Sequence, residues 1–121
     1  MTSLLEAKMR GVSALLQRHR YVYGSEVELH QQLEDVLRAA RLPVQREVRL
    51  TAGDRIDLLV GDVGIEVKVK GQRNPVAQLE RYAASDRVAG LLLVTTRAAT
   101  VPETMSGKPV TVVSLLTNGI A

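Results

Sequence analysis

Asp57, Glu66 and Lys68 lie in the stretch GDRIDLLVGDVGIEVKVKG, residues 53–71, inside two runs otherwise built of isoleucine, leucine and valine. A packed strand favours apolar residues at such places, and a charge set among them needs compensation. In IEVKV the side chains alternate, so Ile65, Val67 and Val69 share one face while Glu66, Lys68 and Lys70 share the other. The turn residues Gly61, Asp62 and Gly64 fold the two runs into a hairpin. That brings Asp57 across from the second strand, within reach of Glu66 if the register allows, with its neighbours Ile56 and Leu58 expected to face away from it. Two carboxylates held close repel each other unless a proton or a cation lies between them. A hard divalent ion such as Mg²⁺ takes carboxylate oxygens at roughly 2.1 Å and keeps several waters. An adjacent lysine adds positive charge where a phosphate oxygen or an ionising water requires it. Two carboxylates and a lysine are therefore equipment for cleaving a phosphodiester.

The elements that must position these residues follow from periodicity and capping. SLLEAKMRGVSALLQRH opens with Ser3 and Glu6 at capping-box spacing and sets Leu5, Met9, Val12 and Leu16 at helical intervals, with Gly11 as a soft spot. After RYVYG the signal recurs: Ser25 is an N-cap, Glu28 closes the box, and Leu29, Leu33, Val36, Leu37 and Ala40 form one apolar stripe. The spacing predicts a helix over about 26–41, ending before Pro43. VQREVRL alternates as a half-buried strand, RIDLLV and GIEVKVK are two more, and Asn74 with Pro75 starts a helix over about 75–85. AGLLLVTT and PVTVVSLL are continuous apolar runs of the buried-strand kind. The order α, α, β, β, β, α, β, β implies an α/β domain with a mixed central sheet flanked by helices.

Composition narrows the classes. A chain of 121 residues suffices for one hydrophobic core. With three Tyr and no Phe or Trp, that core is aliphatic and offers no base-stacking platform. The formal charge of +3 permits a polyanionic partner, and the absence of Cys excludes disulfides, thiolate zinc sites and cysteine nucleophiles. No apolar run reaches the roughly 18 residues of a membrane span. A soluble, cytoplasmic protein with no membrane partner is the expectation.

Asp57, eight residues, then Glu66-Val67-Lys68, on a hairpin that follows a helix, resembles the core motif of the PD-(D/E)XK nuclease superfamily, the restriction-endonuclease-like fold. The element order over about 24–96 is similar to that core (αβββαβ), with an extra N-terminal helix over 1–20 and a C-terminal loop and strand over 97–121. QLERY places Gln78 and Tyr82 four apart on the following helix and resembles the Q-x-x-x-Y of the RecB-like branch. The Holliday-junction resolvases and VRR-Nuc domains are of similar size. Ile56 stands where the motif's name has proline. The resemblance implies a Mg²⁺- or Mn²⁺-dependent nuclease acting on DNA, possessing chemistry that would also cut RNA. It implies that Asp57, Glu66 and the Val67 carbonyl hold the metal, and that Lys68 orients or deprotonates the attacking water. It further implies that Gln78 positions that water or Lys68, and that Tyr82 lies near the scissile phosphate. The family's first helix normally adds a glutamate. Glu26 falls roughly 40° from the centre of the apolar stripe, against about 120° for Glu28 and Glu34, so Glu26 is the candidate.

Other readings stand beside these. The same fold without catalysis would be a nucleic-acid-binding or assembly module, and an acidic hairpin that binds no metal would mark a structural accessory protein. Taken alone, Glu66 and Lys68 fit a solvated strand face, and Gln78 and Tyr82 a helix-surface pair. Asp54 beside Gly53 fits a hairpin end, His19 and His30 fit helix surfaces, and Glu34 fits a solvated partner of Arg38. Arg18, Arg20, Arg46, Arg49, Arg73 and Arg81 are either scattered solvated charge or phosphate grips. The stripe of Leu4, Leu5, Met9, Val12, Leu15 and Leu16 on the first helix either covers the sheet or makes a homodimer.

Overall fold

The computed structural model describes residues 3–69 and 74–115. Helix α1 (Leu4–Gln17) is capped by Ser3, whose Oγ accepts from Glu6 N at 3.0 Å, and α2 (Glu26–Ala39) by Ser25, whose Oγ accepts from Glu28 N at 3.2 Å. Both capping boxes thus satisfy amides that the first helical turn leaves without a partner. Strands β1 (Val44–Arg49), β2 (Arg55–Val60) and β3 (Val63–Lys68) form an antiparallel meander. Helix α3 (Val76–Ala83) then crosses to β4 (Gly90–Thr95), which runs parallel to β3. A two-residue strand β5 (Thr104–Met105), which the sequence pattern does not reveal, precedes β6 (Lys108–Ser114). The six strands are ordered β1-β2-β3-β4-β6-β5.

Two cores lie on the two faces of this sheet. Met9, Val12 and Leu16 of α1 and Leu29, Leu33 and Leu37 of α2 pack with Val44, Leu58, Val60, Ile65, Val67 and Leu92. Leu79, Tyr82 and Ala83 of α3 pack with Val48, Ile56, Leu59, Leu91 and Leu93. The apolar stripe of α1 is therefore satisfied by its own sheet. The homodimer expected from that stripe loses its ground, and Leu4 alone of the group stands out in solvent at 91% exposure. The stripe of α2 faces inward as its period requires, but Glu34, expected on the solvent side, is only 9% exposed. It does pair with Arg38, at 2.7 Å, and also meets Arg46 of β1 at 3.3 Å, because that strand comes up beside the helix.

Strand alternation breaks at Asp57. Ile56 belongs to the α3 core and Leu58 to the α1/α2 core, although residues two apart on a regular strand share a face. On β1, Glu47, between the paired residues Arg46 and Val48, takes a left-handed φ of 51°. Ile56 consequently lies over β3, where a β-carbon on Gly64 would stand 2.5 Å from Ile56 Cδ1 and 3.0 Å from Leu91 Cδ2. The lack of a side chain at Gly64 is what admits Ile56 to that face. Gly11, by contrast, faces open space mid-helix. Gly11→Ala should stabilise the fold by about 0.5–1 kcal/mol, raising Tm by roughly 2–6 °C, whereas Gly64→Ala should destabilise it by about 1–3 kcal/mol through overpacking. Thermal melts of the two variants check both signs.

Candidate active site

The β2–β3 ladder pairs Val60 with Val63, Leu59 with Gly64 and Leu58 with Ile65, and goes no further. Beyond it the strands part, and the Asp57 carboxylate enters the gap, with Oδ2 accepting from Val67 N at 2.8 Å. A side chain thus replaces the backbone acceptor that a regular ladder would offer to Val67. On the neighbouring residue, Glu66 is only 3% exposed, and its Oε1 has no hydrogen-bond partner among the described residues. Its other oxygen, Oε2, lies 3.3 Å from Lys68 Nζ. Hairpin geometry has brought together the three residues singled out in the sequence, Asp57, Glu66 and Lys68. Lys70, on the same expected face, lies outside the described residues.

Electrostatics mark the pair of acids as strained. Burial, then the nearby Asp57 charge, pushes the Glu66 carboxyl up to about 8, against the pull of Lys68. The short Lys68 contact by itself would favour an ionised Glu66, but desolvation and a second carboxylate outweigh one partly exposed ammonium. Burial likewise raises Asp57, opposed by the Val67 N–H and by His30, Glu66 and Lys68. An unpartnered carboxylate oxygen buried beside a second acid calls for a proton or a cation. Among the described residues no group of three or more His, Cys, Asp or Glu side chains makes a metal cluster. The fitting set is smaller: Asp57, Glu66 and a backbone carbonyl such as that of Val67. Mg²⁺ accepts one or two carboxylates and fills its remaining positions with water.

Helix α2 brings two more groups. Glu26 and His30 are one helical turn apart, with Glu26 Oε1 at 3.3 Å from His30 Nε2. The same nitrogen is 3.8 Å from Asp57 Oδ2, without hydrogen-bond geometry toward either acid. Glu26 is thus on the site side of α2, while Glu28 is exposed and occupied with the Ser25 cap. His30, expected on the helix surface, is instead wedged between α2 and β2. Its signal was available, since i and i+4 share a helix face with Glu26. His19 is on the surface, as expected.

Helix α3 supports the site from the opposite face. Tyr82 is 0% exposed, and its hydroxyl donates to the Arg55 carbonyl at 3.0 Å, two residues before Asp57. Burial and then the Glu66 and Asp57 charges hold this phenol above its usual range. A helix-surface position, one reading of the sequence, does not suit so enclosed a ring. Tyr82 is a strut under β2. Gln78 is half-buried one turn earlier on α3. Arg81 is tied to Asp54 of the β1–β2 turn at 2.8 Å, Arg46 to Glu34, and Arg49 to the Ala52 carbonyl, so these three have structural partners. Arg18 and Arg20 are exposed, and Arg73 lies outside the described residues.

Comparison of the chain with known protein families, with curated proteins and with solved structures gives no match. What the site can do rests on its own chemistry. An acid whose folded pKa of about 8 exceeds its ordinary 4.5 binds more protons in the folded state than in the unfolded. The stability this contributes is full below pH 4.5 and lost as pH rises through 8. In chelator, Tm should therefore fall across that window, by an amount equivalent to a few kcal/mol in order of magnitude, and Glu66→Gln should flatten the profile. An equal slope in the variant would place the titration on another group.

Proposed function

We propose that the protein is a metal-dependent nuclease that hydrolyses phosphodiester bonds of DNA. The observation that carries this reading is the convergence of Asp57 and Glu66 where β2 and β3 part, with Glu66 Oε1 buried and unpartnered and Lys68 beside it at 3.3 Å. The element order α2, β1 to β3, α3, β4 is the one that the restriction-endonuclease-like resemblance implies, and it supports the reading. So does Tyr82 on α3, four residues after Gln78, as the RecB-like resemblance implies.

In this reading Asp57, Glu66 and the Val67 carbonyl would hold Mg²⁺ or Mn²⁺, and Glu26 is the further acid that the resemblance adds from α2, outside any three-acid cluster of the described side chains. When bound, the metal would supply a more acidic water and neutralise phosphate charge. Lys68, on the open side of Glu66, would orient the attacking water and set positive charge against the phosphate oxygens as charge builds up on them. Asp57 is fixed by the Val67 amide, and β2 is fixed by Tyr82, so the carboxylates are positioned before substrate arrives. His30 stands between Glu26 and Asp57 on the helix side of the site.

The deciding assay sets purified protein with Mg²⁺ or Mn²⁺ against labelled DNA and RNA of several structures. Cleavage of DNA that stops in EDTA is expected; full activity in EDTA would end the metal proposal, and binding without any cleavage would favour the silent binding module. Lys68→Ala should abolish cleavage while leaving the fold and substrate binding largely intact, because the lysine acts on the transition state more than on the ground state. Ca²⁺ should support binding without turnover.

The two glutamates of the first turn of α2 separate site from scaffold. Glu26→Gln should lower cleavage by orders of magnitude with little change in Tm. Glu28→Gln should cost about 1 kcal/mol of stability and leave cleavage nearly intact. The reverse pattern in paired kinetic and melting measurements would mean that the site is built from the other flank of the helix.

A further inference from the structure

The parallel strands β3 and β4 end side by side, Lys68 opposite Thr95, and a cavity of about 320 Å³ opens beyond these carboxyl ends. That is where open α/β sheets collect their ligands. Lys68, Arg97, Asn74 and Thr100 contribute polar groups to its lining, and buried Leu93 contributes an apolar one. No Asp or Glu lines it among the described residues. Among the described residues the lining thus carries two cations and several hydrogen-bond donors and no carboxylate of its own; Glu66, outside it, pairs with Lys68.

Its framework is fixed by the backbone. Thr96 N donates to the Lys68 carbonyl at 3.2 Å, tying the end of β3 to the segment after β4. Buried Thr95 clamps the next turn, its Oγ1 donating to the Arg97 carbonyl at 2.9 Å and accepting from Arg97 N at 3.2 Å. Lys68 has Glu66 as a partner, whereas Arg97 makes no ion pair with any described residue. An arginine held at a rigid backbone position, without a partner acid and beside the lysine of the site, presents a planar fork of donors matched to phosphate.

We infer that this cavity is a phosphate subsite, in which Arg97 grips the phosphate of the nucleic-acid strand adjacent to the one cleaved beside Lys68. The inference rests on the nuclease reading for the identity of the strand, but the cavity's preference for an anion is a property of its own lining. Arg97 is a binding residue here, and its loss acts on affinity.

The test measures binding of fluorescent DNA oligonucleotides to the full chain in Ca²⁺ across a salt series, beside thermal melts. Arg97→Gln should weaken binding about five- to tenfold and make the dependence of log K on log salt shallower by about 0.7–0.9, the loss of one phosphate contact, with Tm unchanged. Arg97→Lys should recover part of the affinity. Equal affinity and equal salt dependence in Arg97→Gln and the wild type would overturn the subsite. Oligonucleotides with a 5′-phosphate or a 5′-hydroxyl identify the source: a loss confined to the phosphorylated end assigns a terminal phosphate, and an equal loss on both assigns an internal phosphodiester. A wild type that cuts nucleic acid but binds it independently of Arg97 sinks the subsite alone. A wild type that cuts nothing with Mg²⁺ or Mn²⁺, yet loses affinity in Arg97→Gln, sinks the nuclease reading alone.

Discussion

Two carboxylates inside a β-sheet cannot be accommodated by a regular ladder, because each needs donors or positive charge that the interior of a sheet does not offer. The sheet meets this need by opening. Where β2 and β3 would next pair after Leu58 and Ile65, Asp57 takes the Val67 amide for itself, and the strands diverge. The other departures from regularity lie around this one. Ile56 crosses to the α3 core, Gly64 leaves room for it, and Glu47 on the adjoining strand adopts a left-handed conformation. Tyr82 then anchors the start of β2 through the Arg55 carbonyl.

Stability and site chemistry pull in opposite directions at Glu66. Its burial makes the ionised form costly, Asp57 adds to that cost, and Lys68 offsets only part of it. A charged partner larger than one ammonium would relieve the strain, which is the physical argument for a divalent ion. The surrounding scaffold is correspondingly firm. Glu34 holds α2 to β1 through Arg46, Asp54 holds the β1–β2 turn to α3 through Arg81, and Lys8 holds α1 to Asp62 of the β2–β3 turn. Each tie is itself modest where it is exposed, but together they connect all three helices to the meander that carries the acids.

Local signals were enough for much of the architecture. Capping boxes at Ser3 and Ser25, the apolar stripes of α1 and α2, the bounds of β2, and the buried character of β4 were legible because they depend on residues a few positions apart. The hairpin was legible too, from its turn residues, but the register that sets Asp57 near Glu66 came from the pairing of Val60 with Val63. The helical phase that turns Glu26 inward also follows from 3.6 residues per turn, and His30 shares it by the same arithmetic.

Tertiary structure decided the rest, because burial and partnership across elements are not written in local spacing. Glu34 became buried when β1 brought Arg46 alongside and Tyr82 when α3 settled over Arg55, and His30 left the open helix surface when β2 brought Asp57 beside it. The stripe of α1 was equally compatible with a partner chain until packing gave it the sheet. Ile56 and Leu58 were expected on one face by period two, and only the competing demand of Asp57 for the Val67 amide divided them between two cores. Arg97 carried no motif at all; it lines the same cavity as Lys68, 29 positions away in sequence, because parallel pairing of β3 and β4 ends the two strands together.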